Sequence, residues 1–386
     1  MTNLGSIPEE WDVSSYEECC SIKVGRDLKE DKFLGKETDE FKFPVYSNTV
    51  GNRGLYGFYN FQEYQGNALT IVGRGVGLGT AFYREESFGA IGRLLVLIPK
   101  TNSNPKFLEE YTNGRVNFYV ESAAIPQLTG VQLAKYKVLL PPLPEQKKIA
   151  DILSTWDKAI ETTQALIDKL QLRKKGLMQQ LLSGKKRFPG FSGEWEEQEL
   201  QNYIEQKLRP VDKPSQPYLA LGLRSHGKGI FHKPNFDPNS NVMTTLYEVK
   251  ENDLVVNITF AWEHAIAVAS RKDVGGLVSH RFPTYQFIED ISDPQFFKYY
   301  FLQKRFKYLL GVISPGGAGR NRVMSKKDFP KLKVKVPNYS EQTAIAQVLT
   351  KADEEIYQTQ HYLEQLQEQK KGLMQQLLTG QKRVTV

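Results

Sequence analysis

The sequence predicts an α+β protein in which two mixed α/β domains are joined and spaced by two long, matching helices. Three observations carry this reading. At 386 residues the chain is too long for one ordinary domain. Residues 145–188 and 341–384 align without a gap, with 23 of 44 positions identical, and KKGLMQQLL stands unchanged at 174–182 and 370–378. The residues between the two copies are far more than a loop needs, so a folded domain must lie there.

Composition bounds the class. Apolar residues make up 40% and charged residues 25%, ordinary for a folded globular chain. A net charge of +7 and a pI near 9.0 point to an anionic partner, most simply nucleic acid. The cysteines, Cys19 and Cys20, are adjacent, a placement that suits neither a disulfide nor a zinc site and suits a reducing compartment. The N-terminus lacks the basic start and apolar run of a signal peptide. No apolar stretch approaches the roughly 18 residues that cross a bilayer. The expectation is a cytoplasmic protein without a membrane partner.

The first domain, 1–143, opens with Ile7-Pro8-Glu9-Glu10-Trp11. Strands are expected at LTIVG (69–73) and RLLVLIP (93–99), bounded by turn residues. Between them, Gly73-Arg74-Gly75-Val76-Gly77-Leu78-Gly79 resembles a phosphate loop but departs from G-x-G-x-x-G and is followed by Ala-Phe-Tyr-Arg, no clear helix. A tight turn between strands is the simpler reading, and its bare backbone would suit close approach to a DNA phosphate.

VLLPPLPEQ (138–146) ends a strand and restarts the chain as a helix, because the residue before a proline is pushed out of helical geometry. The first helix, 144–187, carries Ile149, Leu153, Trp156, Ile160, Thr163, Ile167, Leu170, Lys174, Leu177 and Leu181 at alternating spacings of four and three. That is a heptad seam. The second copy repeats it from Ile345 to Leu377, with threonine (Thr359) and lysine (Lys370) breaking the seam at the same places. Gly184 and Gly380 stand where a helix stop belongs. Such a helix spans roughly 55 Å, and the two copies can pair inside one chain as a rod with a domain at each end.

The second domain, 188–338, opens with Phe191-Ser192-Gly193-Glu194-Trp195, echoing the first. Strands are expected at DLVVNITF (253–260) and TYQFI (284–288), and a helix at FFKYYFLQKRFKYLLG (296–311). VKVPNYSEQ (334–342) repeats the proline joint, and the second helix occupies 339–386. The chain is thus two cycles of domain plus helix.

No Asn-Pro-Pro-Tyr-type methyltransferase motif, Walker loop, Gly-x-Ser-x-Gly elbow or His-Glu-x-x-His helix occurs, and the five histidines are scattered. Asp237, Glu248 and Lys250 have roughly the composition of a magnesium nuclease core. Glu-x-Lys also occurs at 145–147, 205–207 and 368–370, so a turn leading into a strand is the simpler account.

The whole chain resembles the specificity subunits of type I restriction-modification enzymes. The resemblance rests on the duplicated domain-plus-helix order, the joints Pro141-Pro142-Leu143-Pro144-Glu145-Gln146 and Pro337-Asn338-Tyr339-Ser340-Glu341-Gln342, and the two Lys-Lys-Gly-Leu-Met-Gln-Gln-Leu-Leu blocks. Within the domains Phe43-Pro44-Val45-Tyr46-Ser47-Asn48, Arg74-Gly75-Val76-Gly77, Asn252-Asp253-Leu254-Val255, Val278-Ser279-His280 and Gly319-Arg320-Asn321-Arg322 look like that family. The resemblance implies two target recognition domains in a pseudo-twofold arrangement, each reading one half of a split, asymmetric site in double-stranded DNA. It implies that the helices form an antiparallel pair that sets the unread spacer and docks two modification subunits. Those partners would use S-adenosylmethionine to methylate adenine, and restriction subunits would use ATP and magnesium to translocate and cut. This chain would hold no cofactor and perform no catalysis. A coiled-coil scaffold for proteins, and the specificity subunit of a related restriction system with fused catalytic subunits, are the alternatives.

Guanidinium and amide side chains beside turn residues are the natural base readers. In the first domain these are Tyr46, Ser47, Asn48, Arg53, Arg74, Asn113, Arg115 and Asn117. In the second they are Arg224, Ser225, His226, Lys228, His280, Arg281, Arg320, Asn321 and Arg322. The basic helix ends (Lys174, Lys175, Lys185, Lys186 and Arg187; Lys370, Lys371, Lys382 and Arg383) could touch DNA across the spacer or simply be solvated. Leu177, Met178, Leu181, Leu182, Leu373, Met374, Leu377 and Leu378 form an apolar face wider than a two-helix seam needs, assigned to a partner subunit or to packing on a domain.

Overall fold

The computed structural model describes residues 7–119, 126–316 and 322–385. The long helices run from Leu143 to Leu181 and from Tyr339 to Leu377. Gly184 and Gly380 take left-handed φ values of 69° and 73° just beyond them, which terminates each helix without a Cβ penalty.

The chain divides into two compact units, Met1–Ala165 with Gln360–Val386, and Leu166–Thr359. Each therefore contains one domain, the first half of the helix that follows it, and the second half of the other helix. This cuts across the domain-plus-helix cycle of the sequence, because each domain packs on half of both helices. Within the first unit Glu145 meets Arg383 and Asp157 meets Lys370; within the second Glu341 meets Arg187 and Asp353 meets Lys174. Partners advance along one helix as they recede along the other, so in each unit the helix halves run antiparallel.

In the first unit one four-stranded antiparallel sheet has the order Cys20–Val24, Leu95–Pro99, Ala68–Ile71, Ala81–Arg84. A second takes Phe33–Leu34, Leu55–Tyr59, Phe43–Tyr46 and Gly89–Ala90. The expected strands at 69–73 and 93–99 are present, slightly shorter. The glycine-rich stretch between Ala68–Ile71 and Ala81–Arg84 is a hairpin turn: Gly75, Gly77 and Gly79 have φ of 84°, 85° and 89°, and a Cβ on Gly77 would sit 2.3 Å from Val50 Cγ1. The domain closes where Asp12–Ser15 pairs with Lys137–Leu140, placing Trp11 beside the start of the helix.

The second unit repeats that closure with Glu196–Glu199 on Lys333–Val336. Its sheets have the orders Ile204–Gln206, Thr284–Phe287, Leu254–Val256, Ile266–Val268, and Pro210–Asp212, Thr245–Glu248, Leu277–Val278, Tyr218–Leu223, Ile230–Phe236. Two expectations are corrected here. The strand at 253–260 ends at Val256, because Asn257 Oδ1 accepts the Thr259 N–H and turns the chain. The helix at 296–311 is two, Pro294–Tyr300 and Lys304–Val312, broken where Gln303 takes extended backbone. The break lets Phe296, Phe297, Phe301 and Phe306 all reach one core.

Candidate nucleic-acid interface

The helix joints show what the repeated Glu-Gln does. Glu145 is buried and its carboxylate accepts from Trp11 Nε1 at 3.1 Å and from Arg383 at 2.7 and 2.8 Å. Glu341 does the same with Trp195 Nε1 at 3.3 Å and Arg187 at 2.5 and 2.7 Å. These fork-to-carboxylate pairs lock the start of one helix, the end of the other and the first residues of the domain. Gln146 and Gln342 repeat one another as closely, each donating to the joint carbonyl of Pro141 or Pro337 while accepting from the domain backbone at Asn104 or Asp293. In sequence the tryptophans are only matching domain openings; the fold gives them their role.

This corrects the basic helix ends. Arg187 and Arg383 are latch residues, and Lys174 and Lys370 are ion-paired inside the helix seam, so these four are not free for DNA. Lys175, Lys185, Lys186, Lys371 and Lys382 remain exposed. Of the two uses expected for the apolar face, the structure shows packing on a domain: Leu181 and Leu182 are buried in the second domain's core, and Leu377 and Leu378 in the first's. Leu177, Met178, Leu373 and Met374 pack partly buried against the same cores, which leaves little apolar surface for a partner subunit.

In the first domain most candidates hold the scaffold. Tyr46 is buried, its hydroxyl donates to Glu86 at 2.7 Å, and burial pushes its phenol up to about 12. The Arg84 guanidinium lies 3.5 Å from the Tyr46 ring centre. Ser47 bonds Gly54 O; Asn48 accepts the Gly73 N–H at 2.8 Å and donates to Gly92 O. Arg53 folds back on Phe82 and pairs with Glu109. Asn113 clamps both backbone polar groups of Ala81, and Arg115 keeps a buried, unpartnered Nε. Arg74 and Asn117 are exposed, Arg74 on the glycine hairpin beside Val76, which is 92% exposed.

The second domain brings its candidates together. Arg224, Ser225, His226 and Lys228 form the tip of the hairpin between Tyr218–Leu223 and Ile230–Phe236, with His226 at φ 64°. The tip is fixed to the 261–264 turn by His226 N–H on Glu263 O at 2.7 Å and Ser225 Oγ on Glu263 Oε2 at 2.5 Å. His280 and Arg281 are exposed on the next turn. Ile258 draws that turn and the segment after 321 together, donating to Arg281 O at 3.0 Å and accepting from Met324 N–H at 2.8 Å. Arg322 lies over Trp262, 5.3 Å from its ring centre. Arg320 and Asn321 lie outside the described residues. Sequence reasoning missed Trp262, Lys304, Lys307 and Tyr308, which line one cleft with Arg322; the available signal was the pair of lysines three apart on a helix.

Two of the residues that suggested a nuclease core sit in hydrogen-bonded turns. Asp237 caps the Asn239 N–H, and the Lys250 N–H is held by Asp253, which is buried and paired with Arg209. Among the described residues no group of three His, Cys, Asp or Glu could hold a metal ion, and no helix is long and apolar enough to cross a membrane.

Comparison with known proteins adds a family. The model of the type I restriction modification DNA specificity domain matches residues 8–172 and 211–368. A Methanocaldococcus jannaschii chain provisionally named the MjaX specificity subunit of a type I restriction enzyme is 25% identical, over 99% of this chain and 96% of its own length. A Mycoplasma pneumoniae chain provisionally named a type I specificity subunit is 36% identical over 41% of this chain and 52% of its own. In fold, the crystal structure of the S subunit of a type I restriction-modification system from M. genitalium superposes with a TM-score of 0.62 at 15% identity, covering 98% of this chain and 99% of that one.

Proposed function

Because the chain belongs to the type I restriction-modification DNA specificity family, we propose that each of its two domains reads one half of a split site in double-stranded DNA. The observation that carries this reading is the duplicated latch, Trp11–Glu145–Arg383 and Trp195–Glu341–Arg187, which mounts two different domains on one repeated frame. Same frame and different faces suit two readers of different bases. The cluster of Arg224, His226, Lys228, His280 and Arg281 supports a recognition face on the second domain, and the hairpin carrying Arg74 supports one on the first. Arginine and asparagine side chains suit base edges in the major groove.

The helices set the unread spacer; two modules on one side of a duplex bind about 34 Å apart, one helical turn. Two modification subunits dock on the chain, and with Leu177, Leu181, Leu373 and Leu377 spent internally they engage the exposed helix faces and domain surfaces. The chain supplies the address and no catalysis; its partners bring S-adenosylmethionine, ATP and magnesium. Its site of action is the cytoplasm.

The test is co-expression with the modification subunits and genome-wide mapping of methylated adenines. A split motif is expected, and exchanging residues 188–338 for another domain of the family should change one half of it only. An assembled complex that methylates no split motif would move the chain to the scaffold reading.

A further inference from the structure

We propose that the cleft between Trp262, Arg322 and the helix Lys304–Val312 clamps the phosphodiester backbone of duplex DNA, apart from the base-reading turns beside it. The proposal rests on the reading of this chain as a DNA specificity subunit and assigns a division of labour within its second domain.

The cleft has a volume of about 490 Å³ and is lined by Trp262, Lys304, Lys307, Tyr308, Gly311, Val312 and Arg322, with no acidic residue. Among the described residues none of its three cations lies within ion-pair distance of a carboxylate. By contrast the neighbouring Arg305 points elsewhere and pairs with Glu197 at 3.0 Å. Three unneutralised positive charges around one concavity repel each other, and an anion relieves that repulsion.

The geometry is prepared for such an anion. Arg322 donates from Nε to Ser314 O at 3.0 Å and from Nη2 to Gly311 O at 2.8 Å, and its guanidinium rests on the Trp262 ring. A fork held in place loses little freedom when it binds, and Arg322 lines the cleft. Lys304 and Lys307 stand on one face of their helix, both exposed, and reach the cleft on flexible stems. Tyr308, 71% exposed, offers a ring on which a deoxyribose can pack.

Position relative to the hairpin tip decides for DNA over an acidic protein. The 261–264 turn holds the tip through His226 N–H on Glu263 O and Gly227 N–H on His264 O at 2.9 Å, while His264 Nε2 contacts Phe301 O at 2.5 Å beside the cleft helix. The clamp and the tip carrying Arg224 and Lys228 are one block. Contacts to phosphates fix where a protein sits on the duplex, and contacts to base edges select the sequence; a clamp rigidly offset from a reading turn provides that combination.

The experiment compares the wild-type modification complex with one carrying Lys304→Ala/Lys307→Ala. Binding to duplexes with and without the methylation motif is followed across salt concentration, alongside thermal melting. Two lost phosphate contacts should lower the slope of log affinity against log salt by about 1.8, so that the wild type loses about 12-fold more affinity than the double variant between about 50 and 200 mM salt. The loss should be equal on both duplexes, with melting and the methylated motif unchanged. An unchanged slope in a well-folded variant overturns the clamp, as does a changed motif, which would make these residues base readers. Loss of the modification subunits without a change in slope would make the cleft a protein dock instead. If the wild-type complex itself shows no salt-dependent DNA binding, it is the specificity reading that fails.

Discussion

In the unit that carries the first domain, the seam lysine Lys370 meets two carboxylates, Asp157 and Glu110. In the other, its counterpart Lys174 meets Asp353, whose second partner is the Tyr299 hydroxyl at 2.7 Å. The helix residues are the same in both; the third group comes from the domain, a carboxyl in one and a phenol in the other. Duplication supplied a common frame, and each domain filled it with its own chemistry. The same holds at the latch, where Arg383 takes Glu10 as a second partner and Arg187 takes the carbonyl of Gly193.

The largest test of the shared frame is removal of its buried carboxylates. Breaking a buried pair strands the partner charge, so Glu341→Ala should destabilise the second unit by about 3 kcal/mol and Glu145→Ala the first by about 2 kcal/mol. The second is smaller because the Arg383 side chain is 39% exposed against 22% for Arg187 and is better hydrated once alone. Urea unfolding with hydrogen exchange assigned to each unit separates the two, and equal losses would mean that exposure does not set the difference.

The seam triad should make the units differ in their response to pH. Burial first, and then Asp157, raise the Glu110 carboxyl to about 8 from an ordinary 4.5. The folded group therefore holds its proton more tightly than the unfolded one. Its contribution is fully present below the unfolded value and is lost as pH climbs from about 4.5 to about 8, on the order of 2 kcal/mol. Burial pushes the Tyr299 hydroxyl upward, far from that range. Protection of the first unit should fall across this window, and Glu110→Gln should flatten it. The second should not fall, because burial lowers its His264 and that contribution grows as pH rises through the ordinary imidazole range. A slope that survives Glu110→Gln would place the titrating group elsewhere.

Base recognition sharpens the comparison further. Arg74→Ala and Arg224→Ala should each relax one position in a different half of the methylated motif, by about 1–3 kcal/mol of discrimination. Methylome mapping reads both, and two variants that relax the same half would contradict one domain per half-site.

The smallest effect concerns the helix stops. Gly184→Ala should cost about 1 kcal/mol, the strain of a left-handed Cβ. A Cβ there meets the Trp195 ring at 3.4 Å, an ordinary contact, whereas one on Gly380 would stand 2.4 Å from Pro8 Cγ. Gly380→Ala should therefore exceed Gly184→Ala by about 1 kcal/mol in thermal melting.

Much of this frame was readable from residues alone. Helix periodicity, proline joints and stop glycines are local rules, and a gapless repeat displays the duplication directly. The latch was readable only as identity: Glu145 and Trp11 recur at 341 and 195, but their contacts join residues more than a hundred positions apart. Site residues were hardest, because arginine and asparagine serve turns and nucleic acids equally well. Asn48 and Asn113 hold backbone groups, a use that sequence cannot separate from base reading, and Lys304 and Lys307 were hidden in a run that looked like ordinary helix.

The two units also differ in how the ribosome delivers them. The second is one continuous stretch, Leu166–Thr359, so all its partners have emerged together and it can close early. The first needs Gln360–Val386 to complete it, and its latch joins Glu145 to Arg383. Closing so large a loop is slow, and until then Trp11, Glu145 and the core that receives Leu377 and Leu378 stand open. A chain broken off after Thr359 would thus keep the second unit whole and leave the first, though synthesised earlier, without Gln360–Val386.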